Sequence, residues 1–429
     1  MKFAIYTLGC KVNAYESEYV TNLFLKEGFE LTDFSDIADI YIINTCTVTN
    51  TSDQKSRKMI RQARRRNPSS VIVVMGCFTQ IRENGNSILD IADVVIGNTN
   101  KSKILDIVKE ALNSKNKIIK VQDVMNTTFE DMEINNFKSK TRAYIKIEDG
   151  CENYCTYCII PYVRGKVRSK KKENVIREVT SLVNEGHKEI VLTGIHTGHY
   201  GADLKDYDFS DLLKELEQIK GLERIRISSI EITELNEKFL NTLENSKKIV
   251  NHLHIPLQSG SDHILKLMNR KYDLKYYYEK INLIRKIRPD IAITTDVIVG
   301  FPNESDKDFK DTVSFIKKIS FAGGHVFPFS SRKGTPAASM SGQLTKQEKH
   351  DRSKKLIEVF DGLEDDYYKK HIGKTVLVIP ETYKNGFLTG HTDNYLKVEF
   401  KGCEELIGKE INVKLIKYEY KKIIGNIVK

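Results

Sequence analysis

The sequence predicts an α/β protein in three parts: an N-terminal parallel-sheet domain, a central barrel or part-barrel of six βα units, and a small C-terminal all-β barrel. Three observations carry this reading. Short apolar runs alternate with helical patterns over residues 1–113 and again over 141–335, as βα units around a parallel sheet require. Past residue 371 the apolar spacing changes to a period of two, with glycine-bearing turns between the runs. The seven cysteines divide into three dispersed, three clustered and one isolated, at 10, 46, 77, 151, 155, 158 and 403.

Composition narrows the class. The chain has 429 residues, too many for one ordinary domain. With 40% hydrophobic and 29% charged residues it is an ordinary globular mixture, which excludes a disordered or fibrous chain. The formal charge of +10 is compatible with a polyanionic partner. No apolar run approaches the roughly 18–20 residues that cross a bilayer. The N-terminus turns polar at Lys11-Val12-Asn13 without a signal-peptide core, so a soluble, cytoplasmic protein with no membrane partner is expected. In that compartment clustered cysteines bind metal or do chemistry more often than they form disulfides.

In the first part, strands are expected at 3–8, 40–44, 71–75 and 94–96, and helices at 14–26, 52–66 and 101–112. Each of the first three cysteines lies just past a strand: Leu8-Gly9-Cys10, Asn44-Thr45-Cys46 and Met75-Gly76-Cys77. Open α/β sheets bind ligands at the carboxyl edge of their strands, where three thiols far apart in sequence can converge. Each cysteine could instead pack as a small hydrophobe. Three equivalent positions, two of them preceded by a glycine that permits close backbone approach, favour a shared ligand role. The first histidine in the chain is His187, so a His-dependent zinc site or a cobalamin-type His ligand is excluded from this domain.

Residues 114–140 are polar around 126–131 and read as a linker. From 141 to 370 a barrel domain with trailing helices is expected. Its strands fall at 143–147, 189–193, 225–229, 253–257, 291–299 and 325–329, with helices at 172–185, 210–219, 235–244, 276–287 and 306–319. A charged helix over 346–368 follows. The last part, 371–429, has strands at 375–379, 395–400, 410–415 and 423–428. It carries ten lysines against seven acids. Its aromatics (Tyr383, Phe387, Tyr395, Phe400, Tyr418, Tyr420) are read as core filling rather than as base-stacking platforms. Cys403 has no partner in the pattern and reads as packing or surface.

Directly after the first barrel strand comes Cys151-Glu152-Asn153-Tyr154-Cys155-Thr156-Tyr157-Cys158, a C-x3-C-x2-C pattern. A structural zinc site closes with four ligands, and no fourth Cys or His lies nearby. Three thiolates suit a [4Fe-4S] cluster with one iron left open to a substrate or cofactor.

This motif, with Tyr157 before its last cysteine, resembles the signature of the radical S-adenosylmethionine enzymes, whose part-barrel also matches the six βα units. The resemblance implies that the open iron binds S-adenosylmethionine and that an electron cleaves it to a 5′-deoxyadenosyl radical. Cys151, Cys155 and Cys158 would hold that cluster. Thr193-Gly194-Ile195-His196-Thr197-Gly198 looks like the segment meeting the methionine end, Ser228-Ser229 with Glu231 like a ribose-contacting stretch, and 296–302 like the adenine-side motif. Tyr157, Gly194, Ser229, Glu231, Gln258 and Asp296 are the implied cofactor contacts. Asn303 stands where the superfamily often has glycine.

The three-part chain further resembles the methylthiotransferase family. There Cys10, Cys46 and Cys77 would hold a second [4Fe-4S] cluster, and the last domain would be the RNA-binding TRAM fold. Residues 7–13, 194–198, 252–260 and 325–330 most resemble the branch acting on N6-threonylcarbamoyladenosine at position 37 of the tRNA anticodon loop. Two clusters make chemical sense, because adenine C2–H offers no acidity to a general base. A radical can open that position while the second cluster carries the sulfur. A reductant protein and a sulfur source are implied partners. Isopentenyladenosine-37 of tRNA, an aspartate of a ribosomal protein and a non-enzymatic iron–sulfur RNA-binding regulator are the alternatives.

Two basic runs lie just downstream of cysteine motifs. Arg57, Arg61, Arg64 and Arg65 share one face of a helix, and Arg164, Lys166 and Arg168 follow the clustered cysteines. Arg57, Arg61, Arg65, Arg164 and Arg168 are read as phosphate contacts, the alternative being a solvated surface. His196, His199, His252 and His254 are placed near the barrel mouth, with structural and functional roles equally open.

Overall fold

The computed structural model describes residues 1–81, 87–114, 116–134, 137 and 141–428. The N-terminal domain is a six-stranded parallel sheet in the order Glu30–Leu31, Lys2–Thr7, Ile40–Thr45, Val71–Gly76, Val94–Ile96 and Ile118–Lys120. Ile40–Thr45 is buried along its whole length, as its unbroken apolar run requires of a strand covered on both faces. Helices Lys11–Lys26 and Ile104–Ser114 cover one face through Val20, Phe24, Ile104 and Val108. Helix Asn50–Arg66 covers the other through Ile60 and Ala63.

The expected linker is not free. Ile118–Lys120 adds the sixth strand, and Met132, Ile134 and Phe137 are buried in the barrel core. A three-residue strand is too short to show a period, and the polar stretch hides these single apolar anchors. Residues 115, 135, 136 and 138–140 of that stretch lie outside the described residues.

The central domain has six parallel strands in chain order: Ala143–Lys146, Glu189–Thr193, Arg224–Ile227, His252–His254, Ala292–Val299 and Gly323–Pro328. They form two three-stranded ladders, joined through an Ile225–Ile249 bridge. The fourth strand is shorter than expected because Pro256 has no N–H to continue its ladder. Outer helices seal the barrel with Val175, Leu182, Leu212, Ile281 and Ile316. Asn303 takes the left-handed conformation with φ 65°, which asparagine tolerates in place of glycine.

Helix Lys346–Lys369 lies along the last barrel strand and leads into a closed five-stranded barrel. Its second strand, Phe387–Thr392, escapes the sequence pattern because Gly390 and His391 interrupt the apolar alternation. The aromatics there are mostly not core. Phe400 is buried, Tyr418 is half-buried, and Tyr383, Phe387, Tyr395 and Tyr420 are exposed. Arg224 and Arg226, on the third barrel strand, dock this domain. They donate to the carbonyls of Leu377 (3.1 Å), His391 (3.3 Å), Thr392 (3.3 Å) and Asp393 (3.2 Å). No described helix is long and apolar enough to cross a membrane.

Candidate active site

The three dispersed cysteines meet at the carboxyl edge of the N-terminal sheet. Cys10 precedes helix Lys11–Lys26, Cys46 follows Ile40–Thr45, and Cys77 opens the short helix Cys77–Gln80. Gly9 has φ +103°, and a Cβ there would lie 2.8 Å from Cys46 Cβ and 3.1 Å from its Sγ. Only glycine lets the two loops approach this closely. Asn13 Nδ2 ties them by donating to the carbonyls of Leu8 (2.7 Å) and Thr45 (3.0 Å). Burial, aided by the neighbouring Cys77 and Cys10, pushes the Cys46 thiol up to about 11. Cys10 is solvent-accessible yet surrounded by protein, and that enclosure raises its thiol too.

The clustered cysteines occupy a loop at the carboxyl end of the barrel. Gly150 has φ +101°, and a Cβ there would fall 1.9 Å from the Lys166 carbonyl oxygen. The Cys151 N–H donates to the Gly165 carbonyl at 3.0 Å, and the Thr156 N–H to Met268 at 3.1 Å. Burial pushes the Cys158 thiol up to about 12 and raises Cys151 as well. Arg270 donates to Cys155 Sγ at 3.3 Å and pairs with Glu231. His196 Nδ1 lies 3.7 Å from Cys151 Sγ, and its Nε2 meets Glu234. Burial lowers His196 to about 4 and raises Glu234 to about 7, while His199 stacks on His196 at 3.8 Å. All seven cysteines are free thiols. Two sets of three thiols, with Cys10, Cys46, Cys151 and Cys158 raised by burial, fit a thiophilic metal centre that displaces their protons.

One cavity of about 820 Å³ joins the three domains. Cys10 and Lys11 line it from the first, Gly194, Ser229, Asp296, His252 and His254 from the barrel, and His391, Asn394 and Tyr395 from the last. Asp296 Oδ1 is buried without a hydrogen-bond partner, the state of a group awaiting a ligand. Tyr157, Glu231 and Gln258 lie outside this lining. Tyr157 packs against the Ile264–Phe301 cluster beside the cysteine loop, and Glu231 reaches the loop through Arg270. Gln258 is pinned to the fifth barrel strand through its N–H to the Asp296 carbonyl at 2.8 Å. Tyr395 was read from sequence as core. Its ring instead stacks between His252 (4.7 Å) and His391 (4.9 Å), where the turn after Phe387–Thr392 delivers it.

The expected phosphate contacts separate into two groups. Arg164 and Arg168 are buried and cannot meet a phosphate. Arg164 Nε donates to Cys77 Sγ at 3.2 Å, Nη1 to Asp149 (3.0 Å) and Glu16 (3.2 Å), and Nη2 to Asn13 at 2.9 Å. Arg168 donates to the Arg164 carbonyl at 2.7 Å and pairs with Asp149 at 3.6 Å. Both are drawn inward because Asp149 and Glu16 are buried and must be neutralised. Lys101 and Lys146 complete this seam between the first two domains. Against the opposition of burial, Lys101, Arg164 and Lys146 hold the Glu16 carboxyl well below its usual range. Four cations thus face two carboxylates in this connected network, with the surplus positive charge beside Cys77. An anionic cluster on three thiolates is the counter-charge such a surplus calls for. Arg61 and Arg65 are exposed, while Arg57 lies over the Phe78 ring at 5.0 Å. Arg64 is committed to Asp93 at 2.7 Å.

Residues 145–316 match the Radical SAM superfamily, and residues 2–97 match the uncharacterized protein family UPF0004. The chain is 45% identical to threonylcarbamoyladenosine tRNA methylthiotransferase MtaB of Bacillus subtilis, covering 99% of this chain and 96% of that one. It is 36% identical to tRNA-2-methylthio-N(6)-dimethylallyladenosine synthase of Clostridium botulinum, covering 97% and 94%. In fold it is similar to the radical S-adenosylmethionine methyltransferase TsrM from Kitasatospora setae, with a TM-score of 0.58 at 13% identity over 79% and 76% of the chains. Sequence similarity along almost the whole of both chains makes this protein a member of the radical S-adenosylmethionine tRNA methylthiotransferase family.

Proposed function

We propose that the protein converts N6-threonylcarbamoyladenosine-37 in the tRNA anticodon loop to its 2-methylthio derivative, using two [4Fe-4S] clusters and S-adenosylmethionine. The observation that carries this reading is the single cavity to which all three domains contribute. Identity favours the threonylcarbamoyladenosine branch, at 45% against 36% for the dimethylallyladenosine relative.

Cys151, Cys155 and Cys158 hold one cluster, and Cys10, Cys46 and Cys77 hold the other. The clusters and S-adenosylmethionine supply the radical and the methylthio group that an unactivated adenine C2–H requires. The chain's own residues do the rest. Gly194, Ser229 and Asp296 present the cofactor side of the cavity, Tyr157 and Glu231 support it from around the cysteine loop, and Gln258 supports it from the fifth barrel strand. Arg270 donates to Cys155 Sγ, and Arg164 to Cys77 Sγ, so each thiolate set has a fixed guanidinium donor. The Tyr395 stack walls the cavity at the amino-terminal end of the barrel. Arg57, Arg61 and Arg65 meet tRNA phosphates beside the N-terminal cysteines. A reductant protein and a sulfur source complete the turnover.

Nucleoside mass spectrometry of tRNA from cells lacking the protein tests the assignment. Loss of 2-methylthio-threonylcarbamoyladenosine with accumulation of its precursor is expected, and an unchanged level overturns the branch. Iron analysis of a Cys10/Cys46/Cys77→Ala variant tests the second cluster. About half the wild-type iron is expected, and full iron overturns it.

A further inference from the structure

The cavity wall carries an ammonium group that its neighbours leave unmatched. Lys11 stands on the first turn of helix Lys11–Lys26, next to Cys10, and lines the cavity. Its side chain is solvent-accessible, and among the described residues it has neither a hydrogen-bond nor an ion-pair partner. The charged groups that act on it are Arg142, Arg226, Asp296 and the neighbouring Cys10 thiol. Arg142 is held by Glu381 at 3.0 Å and Arg226 by Glu189 at 2.6 Å, while Asp296 meets His254 through Oδ2 at 3.3 Å and keeps Oδ1 open. A lysine in a helix's first turn also opposes the helix dipole, so the position is not one that local helix stability selects. Among the described residues the cavity therefore offers two unpaired ammonium groups, Lys397 from the C-terminal domain and Lys11 from the N-terminal domain, of which Lys11 stands beside the cysteine edge.

The two substrate chemistries differ at this point. A threonylcarbamoyl substituent carries a carboxylate, whereas a dimethylallyl substituent is an apolar hydrocarbon. We propose that Lys11 is the specificity-determining residue that binds the carboxylate of the threonylcarbamoyl group. The inference rests on the reading that this cavity receives adenosine-37. A dimethylallyl group would leave the ammonium desolvated and unpaired, which disfavours that substrate as well as failing to reward it.

The test uses the cluster-loaded full chain and anticodon stem-loops bearing threonylcarbamoyladenosine, its carboxylate methyl ester, or dimethylallyladenosine. Lys11→Met is expected to lower kcat/KM for the acid substrate about 10- to 100-fold, the range of a lost charge-assisted hydrogen bond. The wild type is expected to lose a similar factor on the methyl ester, and the two changes together lose little more than either alone. Lys11→Arg, which keeps the charge, restores part of the loss. Iron content controls for damage to the neighbouring Cys10. If Lys11→Met fails that control, the ester on wild-type protein decides. An ester turned over as well as the acid overturns the role of Lys11. A wild type that ignores threonylcarbamoyladenosine and modifies dimethylallyladenosine overturns the substrate branch instead.

Discussion

Arg164→Met removes the guanidinium that joins the first two domains and one of the two cysteine sets. The side chain is fully buried and donates to Cys77, Asp149, Glu16 and Asn13. Taking one partner out of a buried charge network costs about 3–5 kcal/mol. Lys146 still reaches both carboxylates, at 2.7 Å to Asp149 and 3.1 Å to Glu16, and Lys101 reaches Glu16 at 2.7 Å. The lower end, about 3 kcal/mol, is therefore expected, which loosens the seam about a hundredfold. The N–H···S bond to Cys77 and half of the surplus positive charge disappear together. Hydrogen exchange should rise around Glu16, Lys101 and Asp149, and iron should fall toward half if the N-terminal set holds a cluster as proposed. Arg164→Lys keeps the charge but not the fork that reaches several acceptors, so it should fall between. Full iron together with unchanged exchange in Arg164→Met would refute the counter-charge argument.

Gly9→Ala and Gly150→Ala should each disable a different cysteine set, because the added Cβ meets Cys46 in one case and the Lys166 carbonyl in the other. Each variant is expected to keep about half the iron, and the two spectra should be complementary; two intact spectra would count against the close approaches. Despite burial, the hydroxyls of Ser261 and Ser305 hold Asp308 down to about 2 from its ordinary 3.8. A depressed carboxylate stabilises the fold fully above its unfolded value and loses that contribution as the pH falls through the folded one. Asp308→Asn should thus cost about 1–2 kcal/mol at pH 7, as a lost helix cap does. The gap in urea midpoint from wild type should narrow between pH 5 and pH 3, and a constant gap would contradict the sign. Arg61→Glu with Arg65→Glu should weaken tRNA binding regardless of sequence and flatten its salt dependence by about two phosphate contacts. An unaltered salt slope would place these arginines off the RNA.

The architecture was readable because its signals are periodic. Runs such as Val71–Gly76 and Ala292–Val299 announce parallel strands, and three cysteines at equivalent strand ends announce convergence. What stayed hidden depends on partners distant in the chain. Arg164 and Arg168 look like phosphate contacts in a basic run until Glu16, 148 residues before Arg164, is seen buried against Arg164. Ile118–Lys120 is too short to leave a pattern. Tyr395 carries φ 69° at a turn, and no spacing rule says that such a residue will enter another domain's histidines. Lys11 was visible within a motif, but its unmatched charge is a property of the cavity.

The stack of His252, Tyr395 and His391 gives the small C-terminal barrel a second duty. Its Tyr395 turn lines one end of the cavity, so that domain cannot swing aside without reshaping it. The seating of the C-terminal domain and the shape of the cavity are thereby mechanically linked, and a chain cut before residue 371 would lose both at one stroke.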